Sequence, residues 1–167
     1  MSKIAIVTFS FKSKTTEDAE GKHGIIYRPD YMIISVFDTS TRRFSPRRII
    51  PLKHDRMPED VASMLASRKA QIIIWSEEDK ALLQMLVQET GRYSGKLRIG
   101  MFREYLSTIN VPTDSMSAAA RDLGIGTCPR EGVRNIVKVL MRFSVLRKIV
   151  KKIFNRNDLD LIDGIFI

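Results

Sequence analysis

Three consecutive acidic residues, Glu77, Glu78 and Asp79, directly follow the apolar segment 72–75 and Ser76. The apolar segment has the composition of a buried strand, and the acids begin a pattern typical of a helix. In open α/β sheets, functional sites collect just beyond the carboxyl ends of the strands. Carboxylates there can hold divalent metal ions that activate water. A structural interpretation is also open, because acids in the first turn of a helix interact favourably with its dipole.

The elements that must position these acids follow from the periodicity of the chain. The patterns predict strands at residues 3–11, 31–37, 43–52, 72–75 and 96–99. They predict helices at residues 58–67, 77–90, 101–109, 115–123 and 131–154, and a polar loop at residues 12–24. Hairpin strands followed by alternating units favour an α/β fold with a mixed sheet of about five strands flanked by helices. We expect one domain over residues 1–167, with a basic helix at 131–156 and a tail at 157–167.

Residues 72–143 resemble the ribonuclease H-like 3′–5′ exonucleases of the Asp-Glu-Asp-Asp type. The segment Trp75-Ser-Glu-Glu-Asp79-Lys-Ala-Leu-Leu is similar to the strand and helix that carry one of the family's aspartates, which aligns with Asp79. The segments beginning at Leu97, Ala118 and Gly132 are similar to later parts of the family, in the same order. The resemblance implies a ribonuclease H-like mixed sheet.

The resemblance does not extend to the family's other metal-binding acids. The family has an Asp and a Glu two residues apart on its first strand, where this chain has Thr8 and Ser10. The family's last aspartate falls near Gly132, and its histidine near residues 127–128. Asp79 alone is retained, and one carboxylate does not assemble a two-metal site. The comparison therefore implies an inactive nuclease fold without a metal cofactor.

Two other sets of residues offer alternative chemistry. Glu17, Asp18 and Asp30 lie in or near the predicted loop. With Asp79 they would restore a Mg²⁺- or Mn²⁺-dependent exonuclease; otherwise they are solvated charges. Cys128 is the single cysteine, so an internal disulfide and a multi-thiolate metal site are excluded. No histidine lies near it in sequence, which favours an inert thiol over a nucleophile.

Positive charge is concentrated near the end of the chain. The net charge is +9, from 28 basic and 19 acidic residues. Nine of the basic residues and one acid, Glu131, lie in segment 128–156. This segment therefore contributes +8 and the rest of the chain only +1. Such a charge run favours binding to a polyanion, while a solvated helix face is the alternative.

The basic residues of the last helix repeat at helical spacing. We predict a nucleic-acid-binding face, RNA or DNA, formed by Arg134, Lys138, Arg142, Lys148, Lys151 and Lys152. An anionic membrane or a protein partner is the alternative ligand. The acidic and apolar tail offers a docking segment for a protein, so an assembly adaptor is a third hypothesis. No apolar run approaches the ~20 residues of a membrane span, and we expect a cytoplasmic protein.

Overall fold

The fold is a mixed sheet with helices on both faces. The computed structural model describes residues 3–66, 70–89, 97–126 and 136–156. The strands are β1 (Lys3–Glu17), β2 (His23–Asp38), β3 (Arg43–Phe44), β4 (Arg48–Pro51), β5 (Ala70–Ile74) and β6 (Arg98–Met101). The helices are α1 (Glu59–Ala66), α2 (Glu77–Gln88), α3 (Phe102–Thr108), α4 (Met116–Asp122) and α5 (Ile136–Arg156), with a 3₁₀ turn at Lys53–Asp55.

The sheet combines a hairpin with a parallel unit. Its strand order is β3-β2-β1-β5-β6, and β4 also pairs with β2. β1 and β2 are antiparallel, whereas β1 with β5 and β5 with β6 are parallel. The parallel pair β5 and β6 is joined through α2, as a parallel connection requires a crossover. The mixed sheet flanked by helices confirms the predicted architecture, with six strands instead of about five.

Alternation along the strands divides the core into two layers. Ile4 and Ile6 of β1, with Ile73 of β5, pack against α3, α4 and α5. The intervening residues of the same strands pack against α1 and α2 on the other face. This alternation is the two-residue period expected of strands buried on both faces. These two layers position α2, which carries Asp79, and α5, which carries the basic residues.

The predicted loop at residues 12–24 is wrong. β1 continues to Glu17 and β2 begins at His23, so this segment extends the hairpin as a two-stranded ribbon. A shift in pairing between Ser10 and Phe11 separates the ribbon from the sheet proper. Within the described residues, the two strands of the ribbon pair only with each other and not with β4 or β5. Polar and charged residues can therefore occupy the ribbon. The sequence consequently lacks an apolar stripe there.

The predicted strand at residues 43–52 is also interrupted. It forms two short strands, β3 and β4, which both pair with β2. Between them the Ser45 hydroxyl accepts a hydrogen bond from the Val36 N–H (2.9 Å), and Pro46 has no N–H to donate. The five predicted helices are present, with ends that differ by a few residues; residues 131–135 lie outside the described part of the chain. Within the described ranges, no helix is long and apolar enough to cross a membrane.

Candidate functional site

Asp79 lies at the third position of α2, just beyond the carboxyl end of β5, as the sequence predicts. Its side chain is buried, with 6% of its surface exposed. Burial raises the pKa of the Asp79 carboxyl to about 6, and the nearby charge of Glu78 also raises it. The Arg142 guanidinium and hydrogen bonds from Ser76 act in the opposite direction but do not offset burial. Asp79 is therefore partly protonated near pH 6.

Thr8 and Ser10 lie at the same edge of the sheet. Ile6 pairs with Ile73, so the residues that follow each of them emerge together at the carboxyl edge. Both hydroxyl residues are buried, and alternation from Ile6 places them on the face that α5 covers. The Ser10 hydroxyl accepts a hydrogen bond from the Tyr31 N–H (3.1 Å) where the pairing shifts. The Ser10 hydroxyl therefore stabilises the pairing of β1 with β2.

Arg142 is the basic residue of α5 that approaches this edge. Its side chain is half-buried, and its positive charge lowers the pKa of Asp79. Neither Asp79 Oδ2 nor Arg142 Nε has a hydrogen-bond partner among the described residues. A positive charge near a buried acid partly compensates the cost of removing that acid from water. Arg142 thus provides positive charge where a carboxylate site would bind a metal ion.

The described residues at this edge do not fit a divalent metal site. A two-metal centre needs several converging carboxylates. Within the described ranges, no group of three or more His, Cys, Asp or Glu side chains is placed to hold a metal ion. Asp79 shares the edge with hydroxyl residues and is influenced by a guanidinium, which repels a metal cation. This arrangement of the described residues therefore gives no basis for a metal-dependent reaction step.

The acids of the predicted loop lie on the hairpin ribbon. Asp18 Oδ1 accepts hydrogen bonds from the Glu20 N–H (3.0 Å) and the Lys22 N–H (2.8 Å), which closes the turn at its tip. Glu17 is the last residue of β1. Asp30 forms an ion pair with Lys12 at 3.1 Å. These contacts give Asp18 and Asp30 a role within the ribbon.

A cavity of about 310 Å³ opens next to the start of α2. It is lined by Trp75, Ser76, Glu77, Glu78, Met101, Arg103, Glu104, Ser107 and Thr113. Arg103 is fixed there, because its N–H donates to the Trp75 carbonyl (3.2 Å) and its Nε to the Thr113 carbonyl (2.9 Å). The N–H of Glu78, the Ser76 hydroxyl and the Arg103 charge together lower the pKa of the Glu78 carboxyl. The cavity thus has acidic walls with one cation.

The predicted basic residues of α5 lie in different environments. Lys138, Lys148 and Lys151 are exposed. Lys152 is half-buried, and its ammonium donates a hydrogen bond to the Leu123 carbonyl at the end of α4. The side chain of Arg142 approaches Asp79, as described above. Three of the six predicted residues are therefore free to meet a ligand in solvent.

Several predicted residues lie outside the described residues. These are Arg134, Gly132, segment 127–128 and the tail at 157–167. The alignment at Gly132, the predicted inert thiol of Cys128 and the predicted docking role of the tail therefore stay predictions.

The sequence analysis did not assign Arg43 and Arg147 to a site, but the fold places them with the predicted Lys148 and Lys151. Arg43 of β3 and Arg147, Lys148 and Lys151 of α5 line a cavity of about 470 Å³ together with Phe44 and Ser144. The guanidinium carbon of Arg147 lies 4.7 Å from the centroid of the Phe44 ring. The available signal was the cluster of basic residues at 42–48, which has no acid. Only the tertiary fold brings that cluster to α5.

Comparison with solved structures confirms the fold. The chain is similar to a full-length 3′-exonuclease, with 10% identity and a TM-score of 0.57 over 99% of this chain and 84% of that one. It is similar to a 3′-exonuclease in a structure of 3′-end specific recognition of a histone mRNA stem-loop, with 10% identity and a TM-score of 0.58 over 93% and 83%. It is also similar to the nuclease domain of 3′hExo, a DEDDh family member, bound to rAMP, with 10% identity and a TM-score of 0.56 over 93% of both chains.

These likenesses establish a ribonuclease H-like exonuclease fold for this chain. No protein-family model matches the sequence, and no curated protein matches it. At 10% identity, the neighbours show the fold alone. The function must be argued from the residues that this chain places on the fold.

Proposed function

We propose that this protein is a catalytically degenerate exonuclease-fold protein that binds nucleic acid through the exposed cations of α5. The observation that carries the proposal is the composition of that helix. α5 contains seven Lys or Arg residues and no Asp or Glu. Many of its apolar residues, among them Phe143, Leu146 and Ile149, are buried in the core. Its exposed residues include Lys138, Lys148 and Lys151 together with the apolar Val137 and Met141, so every exposed charge described on this helix is positive.

Nucleic-acid backbones bind such a surface by exchanging counterions for protein cations. Lys138 and Lys148 are separated by about 15 Å along the helix axis, at about 1.5 Å per residue. Lys148 and Lys151, three residues apart, share a face and can contact neighbouring phosphates of one strand, whereas Lys138 lies about 140° around the axis from Lys151. The structures similar in fold include a 3′-exonuclease that recognises an mRNA stem-loop and a nuclease domain bound to rAMP. The first supports a polynucleotide as the ligand class, and the second supports a nucleotide unit.

The carboxyl edge supports the degenerate part of the proposal. Asp79 is buried, and its ionised form is disfavoured by burial. The first strand offers the hydroxyls of Thr8 and Ser10 in place of acids, and Arg142 adds a positive charge. Among the described residues, this arrangement offers no set of carboxylates that could hold two metal ions and activate a nucleophilic water.

The test measures binding and hydrolysis on the same protein. Fluorescence anisotropy is recorded with labelled RNA and DNA strands of about 20 nucleotides. The NaCl concentration is varied from about 50 to about 300 mM, a range that includes the physiological ionic strength. We expect binding that weakens steeply with salt. Absence of binding at the lowest salt, or affinity independent of salt, would contradict the proposed function.

Hydrolysis is assayed on 3′-labelled strands with Mg²⁺ or Mn²⁺. We expect no shortening that depends on Asp79. Loss of strands by the wild type and not by Asp79→Asn would instead establish the alternative, a divergent metal-dependent exonuclease. Equal loss by both proteins would indicate a contaminating nuclease and not this chain.

A further inference from the structure

The cavity at the β3 edge is built from two distant parts of the chain. Arg43 and Phe44 come from β3, and Ser144, Arg147, Lys148 and Lys151 come from α5. β3 is an edge strand that pairs with the end of β2, through Phe37 with Phe44. The cavity measures about 470 Å³, which is enough for the sugar and phosphate groups of a nucleotide.

The floor of this cavity is formed by packed aromatic rings. The Phe44 ring packs on Phe37 with ring centroids 4.9 Å apart, and Phe37 packs on Phe154 at 5.3 Å. Arg147 stacks on Phe44, with its guanidinium carbon 4.7 Å from the ring centroid. This cation–π contact fixes the planar guanidinium while leaving its N–H donors available at the edge. Preorganised donors of this kind favour phosphate recognition.

The cations of the cavity have no acidic partners among the described residues. None of the ion pairs within the described ranges involves Arg43, Arg147, Lys148 or Lys151. Burial lowers the pKa of Arg147, and the charge of Arg47 lowers it further. The nearest acid in the pairing register is Asp38, whose Oδ1 accepts hydrogen bonds from the Ser40 N–H and hydroxyl and from the Thr41 N–H. An anionic ligand would relieve this repulsion.

The cavity is far from the carboxyl edge. Phe37 pairs with Ile4 of β1, and Ile4 pairs with Gln71 near the beginning of β5, whereas Asp79 follows the end of β5. β3 is also three strand positions from β5, about 14 Å across the sheet at about 4.8 Å per strand. The basic cavity and the degenerate edge are therefore separate sites.

We infer that Arg43, Ser144, Arg147, Lys148 and Lys151 form a pocket that takes backbone phosphates of a nucleic-acid strand at the β3 edge. This inference rests on the proposed nucleic-acid binding and adds to it where the strand lies. The strand crosses the second half of α5 and the edge strand β3, and leaves the carboxyl edge free. Arg43, which lies outside α5, is an essential part of the site.

A charge-matched pair of triple variants tests this placement. The pocket variant carries Arg43→Gln, Lys148→Gln and Lys151→Gln, three exposed residues. The control carries Lys53→Gln, Lys80→Gln and Arg121→Gln, which removes the same charge from residues that do not line the pocket. Circular dichroism and urea unfolding establish that both are folded. Anisotropy with labelled RNA and DNA strands then compares the affinities.

We expect the pocket variant to bind about tenfold or more weakly, and the control to change by about twofold or less. The salt slope of the pocket variant should fall by about 2, since each single-strand phosphate contact contributes about 0.7. Equal weakening of both variants, with a wild type that binds, overturns the pocket and leaves the proposed function standing.

A wild type that binds neither strand overturns the proposed function. In that case, NMR titration with inorganic pyrophosphate tests whether the pocket binds phosphate groups without a nucleic-acid strand. Amide shifts confined to Phe44, Ser144 and Arg147 would retain a phosphate pocket and assign it to a small phosphorylated compound, which overturns the strand placement. Absence of such shifts overturns the pocket as well.

Discussion

The Arg142 guanidinium on α5 lowers the pKa of the buried Asp79 carboxyl on α2, although the larger effect of burial still raises that pKa to about 6. The two residues come from opposite faces of the sheet, since α2 packs on one layer of the core and α5 on the other. They meet at the carboxyl edge, where β5 ends. This charge interaction lies at the carboxyl edge, where open α/β sheets collect their functional sites.

Removal of Arg142 should raise the pKa of Asp79 further. In Arg142→Met the favourable positive charge is lost while burial remains, so the carboxyl should titrate above pH 6. Glu78→Gln should act in the opposite direction, because the Glu78 charge raises the Asp79 pKa. Carboxyl ¹³C NMR titration measures both shifts. Lys138→Met, an exposed change one turn earlier on α5, serves as the control, and a shift there equal to that of Arg142→Met would refute the specific interaction.

Asp79→Asn should become more stable relative to the wild type as pH rises from about 4 to above 6. The folded state holds the Asp79 proton up to about pH 6, whereas the unfolded state releases it near 3.8. Between these values the folded state binds more protons, so the wild-type free energy of unfolding falls as pH increases. The full difference corresponds to at most about 3 kcal/mol.

Urea unfolding at about pH 4 and about pH 7.5 measures this change for both proteins. Glu77→Gln is the matched control, because Glu77 lies in the same first turn and is exposed. A difference between Asp79→Asn and wild type that is identical at the two pH values would show that the carboxyl is not destabilised by burial.

The place of Asp79 was predictable because its signals are local. The apolar segment before Trp75 and the polar segment after Ser76 define the end of a strand and the beginning of a helix within a few residues. The extension of β1 to Glu17 was not predictable in this way. Residues of an exposed two-stranded ribbon need no apolar face, so their polar composition resembles that of a loop.

The roles of the basic residues required the tertiary structure. Lys138 and Arg142 are four residues apart and belong to the same face of α5. Arg142 is nevertheless half-buried and affects the pKa of Asp79, whereas Lys138 is exposed. Arg43 and Arg147 line the same cavity as Phe44 because β3 lies beside α5 in the folded protein. Helical periodicity defines which side chains share a face, but not what that face meets.

Ser10→Ala should destabilise the fold without affecting any nucleic-acid binding. The Ser10 hydroxyl accepts the Tyr31 N–H at 3.1 Å, and Ser10 is buried with 1% exposure. Alanine leaves that N–H without its partner, which costs about 1–3 kcal/mol. Urea unfolding measures the loss, and Ser107→Ala, an exposed change on α3, is the control. Equal stability of the two variants would mean that the hydroxyl is not required at the shift in strand pairing.

The neighbours Lys151 and Lys152 should have opposite roles. Lys152 donates to the Leu123 carbonyl, which lies at the end of α4, so Lys152→Met should lower the free energy of unfolding by about 1.5–3 kcal/mol. Its effect on affinity for an RNA strand should be small. Lys151 is exposed and lines the basic cavity, so Lys151→Met should change stability by about 0.5 kcal/mol or less.

Lys151→Met should instead weaken RNA binding and reduce the salt slope by about 0.7, the value for one single-strand phosphate contact. Urea unfolding and anisotropy on the two single variants measure both properties. Each variant is the control for the other, because both remove one positive charge from the same turn of α5. Equal loss of affinity in the two variants would show that RNA affinity depends only on the net charge of the helix. A loss confined to Lys151→Met would show that the direction of each side chain determines its role.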